Sequence, residues 1–314
     1  MKKIMVLTSG GDASGMNAYI KALAKLCKKN DIELVASMYG YQGLVENSIK
    51  PLYYEYMGEI QNLGGTIIKT SRSKEFITEE GFNKALKNLK SQNIDCLVVV
   101  GGNGTFNGAK DLSSAGVKIL AIPATIDNDL EYTDKTIGYD TACQNAVDVI
   151  VKIKQTMDAL DRGTIVEVMG RHCSDIAVRS AILCGADILI TENEDFEHIL
   201  KKVNNVIDAK KRNPLIVVQE NILDVNELAH FLEEKSGKEF RATVIGYLQR
   251  GGEPTANDKL LAIKFAVKTI ECITKNISSQ AIGTINDEIY LLDIEKAVQP
   301  KSKSNKLLNI YKSF

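Results

Sequence analysis

The stretch Ile4-Met-Val-Leu-Thr-Ser-Gly-Gly-Asp-Ala-Ser-Gly-Met-Asn-Ala18 sets the architecture. It opens on a continuous apolar run rather than an alternating one, as a strand covered on both faces requires. Glycines then turn the chain, and an amphipathic helical pattern follows over Asn17–Lys28. Strand, glycine turn and helix together are the opening unit of a parallel α/β sheet.

The same rhythm continues outward. Apolar runs at Leu34–Ser37, Cys96–Val100, Ile119–Ile122, Ile165–Val168, Ile188–Ile190, Leu215–Val218 and Thr243–Tyr247 read as strands. Helical patterns over Asn107–Ser113, Thr141–Leu160, Asp175–Cys184, Phe196–Lys211 and Asn226–Lys235 separate them. The fold class is therefore α/β, with two doubly wound lobes and largely parallel sheets, a division that 314 residues also favours. In such sheets ligands bind at the carboxyl ends of strands, where helix amino termini present free N–H groups.

Composition narrows the function. Lys and Arg number 39 against 40 Asp and Glu, a net charge of −1, which argues against nucleic acid or an acidic membrane surface as partner. An anion site must then be a local concentration of positive groups. No apolar run approaches the roughly 18 residues of a membrane span, and the Met1-Lys-Lys-Ile start enters a strand directly. The six cysteines, Cys27, Cys96, Cys143, Cys173, Cys184 and Cys272, show no metal-ligand spacing and read as reduced thiols, so a cytoplasmic location is expected.

The glycine turn Gly10–Gly15 would let backbone amides approach a phosphate chain, although a strand-to-helix turn needs glycine for steric reasons alone. It is not a P-loop, since no Lys-Ser/Thr follows its last glycine. Val98-Val-Val-Gly-Gly-Asn-Gly-Thr-Phe-Asn-Gly-Ala109 repeats the device and also resembles a degenerate dinucleotide fingerprint. Ala121-Ile-Pro-Ala-Thr-Ile-Asp-Asn-Asp129 is more informative. In extended chain Asp127 and Asp129 point the same way, and beside Thr125 they match phosphoryl transfer, in which one carboxylate accepts a hydroxyl proton and another holds Mg²⁺. Arg72, Arg162, Arg171, Arg241 and Arg250 recur at strand ends and turns, several beside glycine, as an anion pocket would need. His172, His198 and His230 share no metal or triad spacing, and Lys201-Lys202 with Lys210-Lys-Arg212 reads as a solvated helix face.

Taken together, Leu7-Thr-Ser-Gly-Gly-Asp12, Pro123-Ala-Thr-Ile-Asp-Asn-Asp129, Val166-Glu-Val-Met-Gly-Arg171, Glu227-Leu-Ala-His-Phe231 and Arg241-Ala-Thr-Val-Ile-Gly-Tyr-Leu-Gln-Arg-Gly-Gly252 resemble the ATP-dependent 6-phosphofructokinases of the compact bacterial type. The likeness covers nearly the whole chain and loosens after about Ile270. It implies an ATP-binding lobe of 1–138 with about 249–300, and a fructose 6-phosphate-binding lobe of 139–248 with about 301–314, in a homotetramer.

By that resemblance Asp127 is the base on the sugar's 1-hydroxyl, Asp129 and Asn103 face Mg²⁺, and Thr125 positions substrate. Arg171 and Gly11 stabilise the transferring phosphoryl. Met169, Gly170, Glu220, Tyr247 and Arg250 hold the sugar phosphate, and Arg162 and Arg241 reach in from a neighbouring subunit. Gly11, Tyr41, Arg72, Gly102, Asn103, Gly104, Thr105 and Gly108 line the ATP site. Gly104 favours ATP, because pyrophosphate-using relatives carry Asp there. Asn103 stands where the family usually has Asp, and Tyr247 where it has His, which implies weaker metal use and a higher requirement for fructose 6-phosphate. The effector site corresponds to Lys21, Lys25, Tyr54, Lys154, Asp187 and Lys211, with lysine and tyrosine replacing the usual arginines. A rival reading, a barely catalytic paralogue that binds sugar phosphate or nucleotide as a regulatory partner, rests on Asn103 and Tyr247. Phosphorylation of another hydroxyl, on a different sugar phosphate or NAD, leaves the Met-Gly-Arg and Gln-Arg-Gly-Gly segments unexplained.

Overall fold

A computed structural model of the chain describes residues 1–209, 213–299 and 306–313. It divides into two compact units, Met1–Thr141 with 250–299, and Ala142–Gln249 with a C-terminal helix. The first unit begins β1 (Lys3–Ser9), α1 (Met16–Lys29), β2 (Glu33–Ser37), α2 (Tyr41–Glu46), β3 (Ile49–Pro51), α3 (Glu79–Ser91), β4 (Cys96–Gly101), α4 (Asn103–Ser114) and β5 (Ile119–Pro123). Helix α5 (Tyr139–Ala159) carries the chain into the second unit: β6 (Gly163–Val168), α6 (Asp175–Cys184), β7 (Ile188–Ile190), α7 (Phe196–Asp208), β8 (Leu215–Gln219), α8 (Val225–Ser236) and β9 (Phe240–Val244). The chain then returns as α9 (Ala256–Thr274), β10 (Gln280–Ile285), β11 (Glu288–Asp293) and α10 (Ile294–Ala297), and α11 (Lys306–Ser313) rejoins the second unit.

In the first unit the strand order is β11-β10-β5-β4-β1-β2-β3, parallel except where β10 meets β11 and β2 meets β3. Ile4 to Leu7 of β1 and Leu97 to Val100 of β4 are fully buried, which explains their unbroken apolar sequence. The order turns back between β1, whose successor lies to one side, and β4, whose successor lies to the other. Ligands of open α/β sheets settle at that switch point. In the second unit the order is β7-β8-β6-β9, all parallel, over a core that includes Ile165, Ile190, Ile216, Val218 and Leu228.

Local readings differ at several elements. Helix α4 begins at Asn103, four residues ahead of the sequence expectation, because Gly102 caps it and Asn103 and Gly104 are drawn into its first turn despite poor helix propensity. Strand β9 covers Phe240–Val244 rather than Thr243–Tyr247, since Gly246 at φ 55° turns the chain out of the ladder into a 3₁₀ turn over Gly246–Gln249. Helices α2, α3 and α9 and the β10–β11 hairpin carried no sequence assignment. The expected end of α7 at Lys211 lies outside the described residues.

One buried carboxylate fastens the first unit. Asp258, in the first turn of α9, accepts from Gly138 N–H at 2.9 Å, Thr141 N–H at 2.8 Å and the Thr141 hydroxyl at 2.5 Å. The Thr141 hydroxyl in turn accepts from Thr255 N–H at 3.0 Å. The start of α5 and the start of α9 are thereby locked together. Burial outweighs these donors and, with Asp140 nearby, pushes the Asp258 carboxyl from its ordinary 3.8 up to about 6. An acid whose pKa is higher folded than unfolded makes the folded state hold the extra proton between the two values. Its ionisation therefore removes stability as pH rises from about 4 to about 6. We expect Tm to carry a falling component across that interval which is absent from Asp258→Asn, measured by scanning calorimetry at half-unit steps.

Candidate active site

Three strand ends of the first unit lie side by side. Ser9 of β1 is in register with Gly101 of β4, which is in register with Pro123 of β5. The Thr105 hydroxyl donates to the Ser9 carbonyl at 3.0 Å, so the two glycine turns are joined at their base. The turn after β5 is neighbour to both, and a Cβ at Gly102 would meet Thr125 Cβ at 3.2 Å. Thr125, Asp127, Gly11, Gly102, Asn103, Gly104 and Thr105 therefore share one carboxyl edge at the switch point.

The acid pair sits differently from the sequence expectation. Beyond Ala124 the chain leaves the extended conformation, with a turn at Ile126 and Asp127 and Asn128 in the left-handed region at φ 50°. Asp127 is buried, and its N–H donates to the Thr125 hydroxyl at 3.2 Å. Thr136 holds this loop: its hydroxyl lies 2.6 Å from the Thr125 carbonyl and 3.3 Å from Asn128 Oδ1. Asn128 Nδ2 donates to Asp134 O at 3.2 Å, and Ile137 N–H to Pro123 O at 3.0 Å. The loop then ends at Gly138, where Asp258 grips it. Asp258 was missed in the sequence because its partners lie 117 and 120 positions away, and Thr136 and Asn128 because their bonds, 6 to 11 positions long, close an irregular loop with no periodicity.

The glycines fall into two groups. A Cβ at Gly101 would meet Ser9 O at 2.5 Å and Thr105 Oγ1 at 2.3 Å, and one at Gly108 would meet the Tyr41 ring at 2.9 Å, so packing requires these. Gly104 is exposed, and a Cβ there would meet nothing within 4 Å. Internal packing leaves that glycine unexplained, although it weakens the helix. At Gly11 the occupied space belongs to Arg250, whose Nη1 would lie 2.1 Å from a Cβ. The Arg250 guanidinium thus covers the first glycine turn, donating to Asp12 O at 3.3 Å. Tyr41 is buried, stacked on Phe76 at 4.3 Å, with its hydroxyl on the Thr105 carbonyl at 2.5 Å. Arg72 is exposed on a segment tied to the turn by Thr70, which donates to Gly10 O at 2.8 Å.

In the second unit Met169, Gly170 and Arg171 form the turn at the carboxyl end of β6, with Gly170 at φ 145° and Arg171 at φ 52°. Glu220 Oε1 accepts from Gly170 N–H at 2.9 Å and Arg171 N–H at 2.7 Å. The Gln219 side chain donates to the Arg171 carbonyl at 2.8 Å, and Gln249 Oε1 accepts from Met169 N–H at 2.9 Å. Neither glutamine was singled out in the sequence, although Gln249 lies within the quoted Gln-Arg-Gly-Gly segment. Tyr247, 84% exposed, follows β9 on the same carboxyl edge. Arg162 and Arg241 are elsewhere: one precedes β6 and the other is the second residue of β9, at the amino edge.

Among the effector candidates, Lys21 donates to Gly58 O and Gln61 Oε1 and lies 6.0 Å from the Tyr54 ring centre. Lys25 is exposed, Lys154 is ion-paired with Asp158, and Asp187 accepts from Leu215 N–H at 3.0 Å. Lys211 lies outside the described residues.

For Mg²⁺ the first unit offers Asp127 and Asp129, with Asn103, whose amide oxygen already accepts from Asn107 at 3.1 Å. Hard oxygen donors of this kind suit Mg²⁺. Among the described residues no cluster of three or more His, Cys, Asp or Glu could cage a metal alone.

The chain as a whole is similar to known proteins. The phosphofructokinase family model covers residues 3–273. The chain belongs to that family. It is 42% identical to the ATP-dependent 6-phosphofructokinase of Alkaliphilus metalliredigens over 96% of either chain. To that of Clostridioides difficile it is 41% identical, covering 98% of this chain and 97% of the relative. Among solved structures, the phosphofructokinase of Saccharomyces cerevisiae superposes with a TM-score of 0.87 at 30% identity, over 95% of this chain. This chain spans 45% of the yeast chain's length. A pyrophosphate-dependent phosphofructokinase from Marinobacter aquaeolei, at 18% identity and TM-score 0.84, shares the fold. Among the described residues no helix is long and apolar enough to cross a membrane.

The two groups of glycines separate by stability. Gly104→Ala is expected to hold or raise Tm, by up to ~1 kcal/mol of helix stabilisation, while Gly101→Ala lowers it by more than ~1 kcal/mol through its clash with Ser9 O. Thermal melts of the two variants check this.

Proposed function

We propose that the chain transfers the γ-phosphoryl group of ATP to the 1-hydroxyl of fructose 6-phosphate, giving fructose 1,6-bisphosphate and ADP in glycolysis. The observation that carries this reading is the shared edge of β1, β4 and β5, where two glycine turns suited to phosphates lie beside the Thr125–Asp129 loop. Neither Asn103 nor Tyr247 removes a group that handles the transferred phosphoryl, and no observation favours the barely catalytic alternative.

In this reading Asp127 takes the proton of the sugar's 1-hydroxyl as that oxygen bonds to the γ-phosphorus. The bond to the β-phosphate oxygen breaks, and its electrons leave with ADP. By the family resemblance, Gly11 and Arg171 are the residues that would stabilise the charge that develops on the phosphoryl oxygens. Mg²⁺, when bound, neutralises phosphate charge, with Asp129 and Asn103 as the side chains that would hold it. Glu220, by fixing the Gly170 and Arg171 amides, keeps the turn of a residue in a costly backbone conformation. Gly104 leaves open the space that the nucleotide's phosphates need.

Assembly belongs to the same proposal. Arg162 and Arg241 sit at the amino edge of the small sheet, and Met169, Glu220 and Tyr247 at the carboxyl edge, roughly 20 Å away at about 3.3 Å per residue. A single sugar phosphate is too short to meet both edges of one chain. If all of these residues serve it, a second copy supplies the arginines, in the closed homotetramer that the resemblance implies. The protein is expected to work in the cytoplasm with other enzymes of sugar breakdown.

Purified protein with saturating Mg-ATP should release ADP only when fructose 6-phosphate is added, and pyrophosphate should not replace ATP. Silence with both donors, in folded protein that binds ligand, would overturn the reading. Asp127→Ser is expected to cut kcat by about 10²–10⁴-fold with substrate binding largely retained. An equal loss of binding would remove Asp127 from its role as base.

A further inference from the structure

We infer that Glu239 is a built-in competitor for the phosphate that Arg162 and Arg241 bind, and so sets how much sugar phosphate the enzyme needs. This rests on the reading of those two arginines given above.

Arg162 and Glu239 each stand one residue ahead of paired strands. Gly163 of β6 is in register with Phe240 of β9, and Gly163 N–H donates to Glu239 O at 2.8 Å. The two side chains therefore emerge together at the amino edge of the sheet. Arg162 Nε donates to Glu239 Oε2 at 2.7 Å, while Arg241 Nη2 donates to Glu239 Oε1. One carboxylate thus gives each of its oxygens to a different guanidinium, as a phosphate with two free oxygens would do.

Among the described residues, the cations around the pair are already matched by carboxylates. Arg241 Nη1 lies 3.4 Å from Glu233 Oε2, and Lys238 is paired with Asp161 at 3.1 Å. Asp161, Glu233 and Glu239 balance Arg162, Lys238 and Arg241. A phosphate dianion must displace the Glu239 carboxylate or bind against its repulsion, so part of its attraction to the arginines is lost. The exposure of the partners, 30% for Arg162 and 33% for Glu239, leaves the pair open to exchange with a ligand.

Had the carboxylate instead served to orient the arginines for substrate, its removal would weaken binding. The two roles predict opposite signs. Glu239→Gln keeps the shape and one acceptor oxygen and removes the charge. In steady-state assays of the full chain it is expected to lower KM for fructose 6-phosphate by about two- to fivefold, the worth of a half-exposed ion pair. The change in kcat should stay under about twofold, and KM should depend more steeply on added salt. A KM that rises or stays put overturns the inference. Arg162→Ala, assayed in parallel, is expected to raise KM by about tenfold or more. If it does not, the reading of the arginines has failed. If it does while Glu239→Gln fails to lower KM, only the competitor role has.

Discussion

The hydrogen bond from the Thr105 hydroxyl to the Ser9 carbonyl, at the end of the β1–β4 ladder, is the constraint on which the first unit's chemistry depends. Parallel pairing brings two strand ends together with both following helices starting at the same edge. The Thr105 bond then ties the two turns together at their base. Its donor and acceptor are buried, so the bond cannot be traded for one to water without cost. Gly101, lying against both groups, has no room for a side chain.

A second set of bonds makes the acid-bearing loop rigid from outside. The segment between β5 and α5 has no regular structure, yet its two ends are fixed, one by the Ile137–Pro123 bond and the other by Asp258. Thr136 ties its middle back to Thr125. If Asp127 is the base proposed above, the buried bonds at Thr136 and Asp258 would serve it without touching substrate, since a proton acceptor on a loose loop spends little time in line with its hydroxyl. The Met169–Arg171 turn is built on the same plan, with Glu220, Gln219 and Gln249 supplying the bonds that its irregular backbone lacks.

Charge is arranged with similar economy. The chain as a whole is nearly neutral, and the arginines proposed to bind anions are set among carboxylates. Arg250 lies over the Gly11 turn beside Asp12, and Arg162 and Arg241 share Glu239. On the reading proposed above, an anion reaches these arginines only by displacing a carboxylate, which would discriminate against weak anions.

Much of this was legible in the residues. Unbroken apolar runs followed by glycine turns determined parallel strands buried on both faces, because only such strands dispense with a polar side. Thr125, Asp127 and Asp129 stood out as a hydroxyl beside paired carboxylates after a strand, whereas Gly11 and Gly104 took their roles from the family resemblance. Local pattern missed α3, α9 and the β10–β11 hairpin. It also put Asp127 and Asp129 on extended chain, where Asn128 in fact takes a left-handed turn. What only the tertiary structure decided is which distant groups hold the site. Asp258 meets Gly138 and Thr141 across 117 or more residues, Gln249 meets Met169 across 80, and Glu239 meets Arg162 across 77. A hydrogen-bond partner that far along the chain leaves no periodicity or spacing behind, since its position follows from strand order and register, and those form only when the whole sheet is assembled.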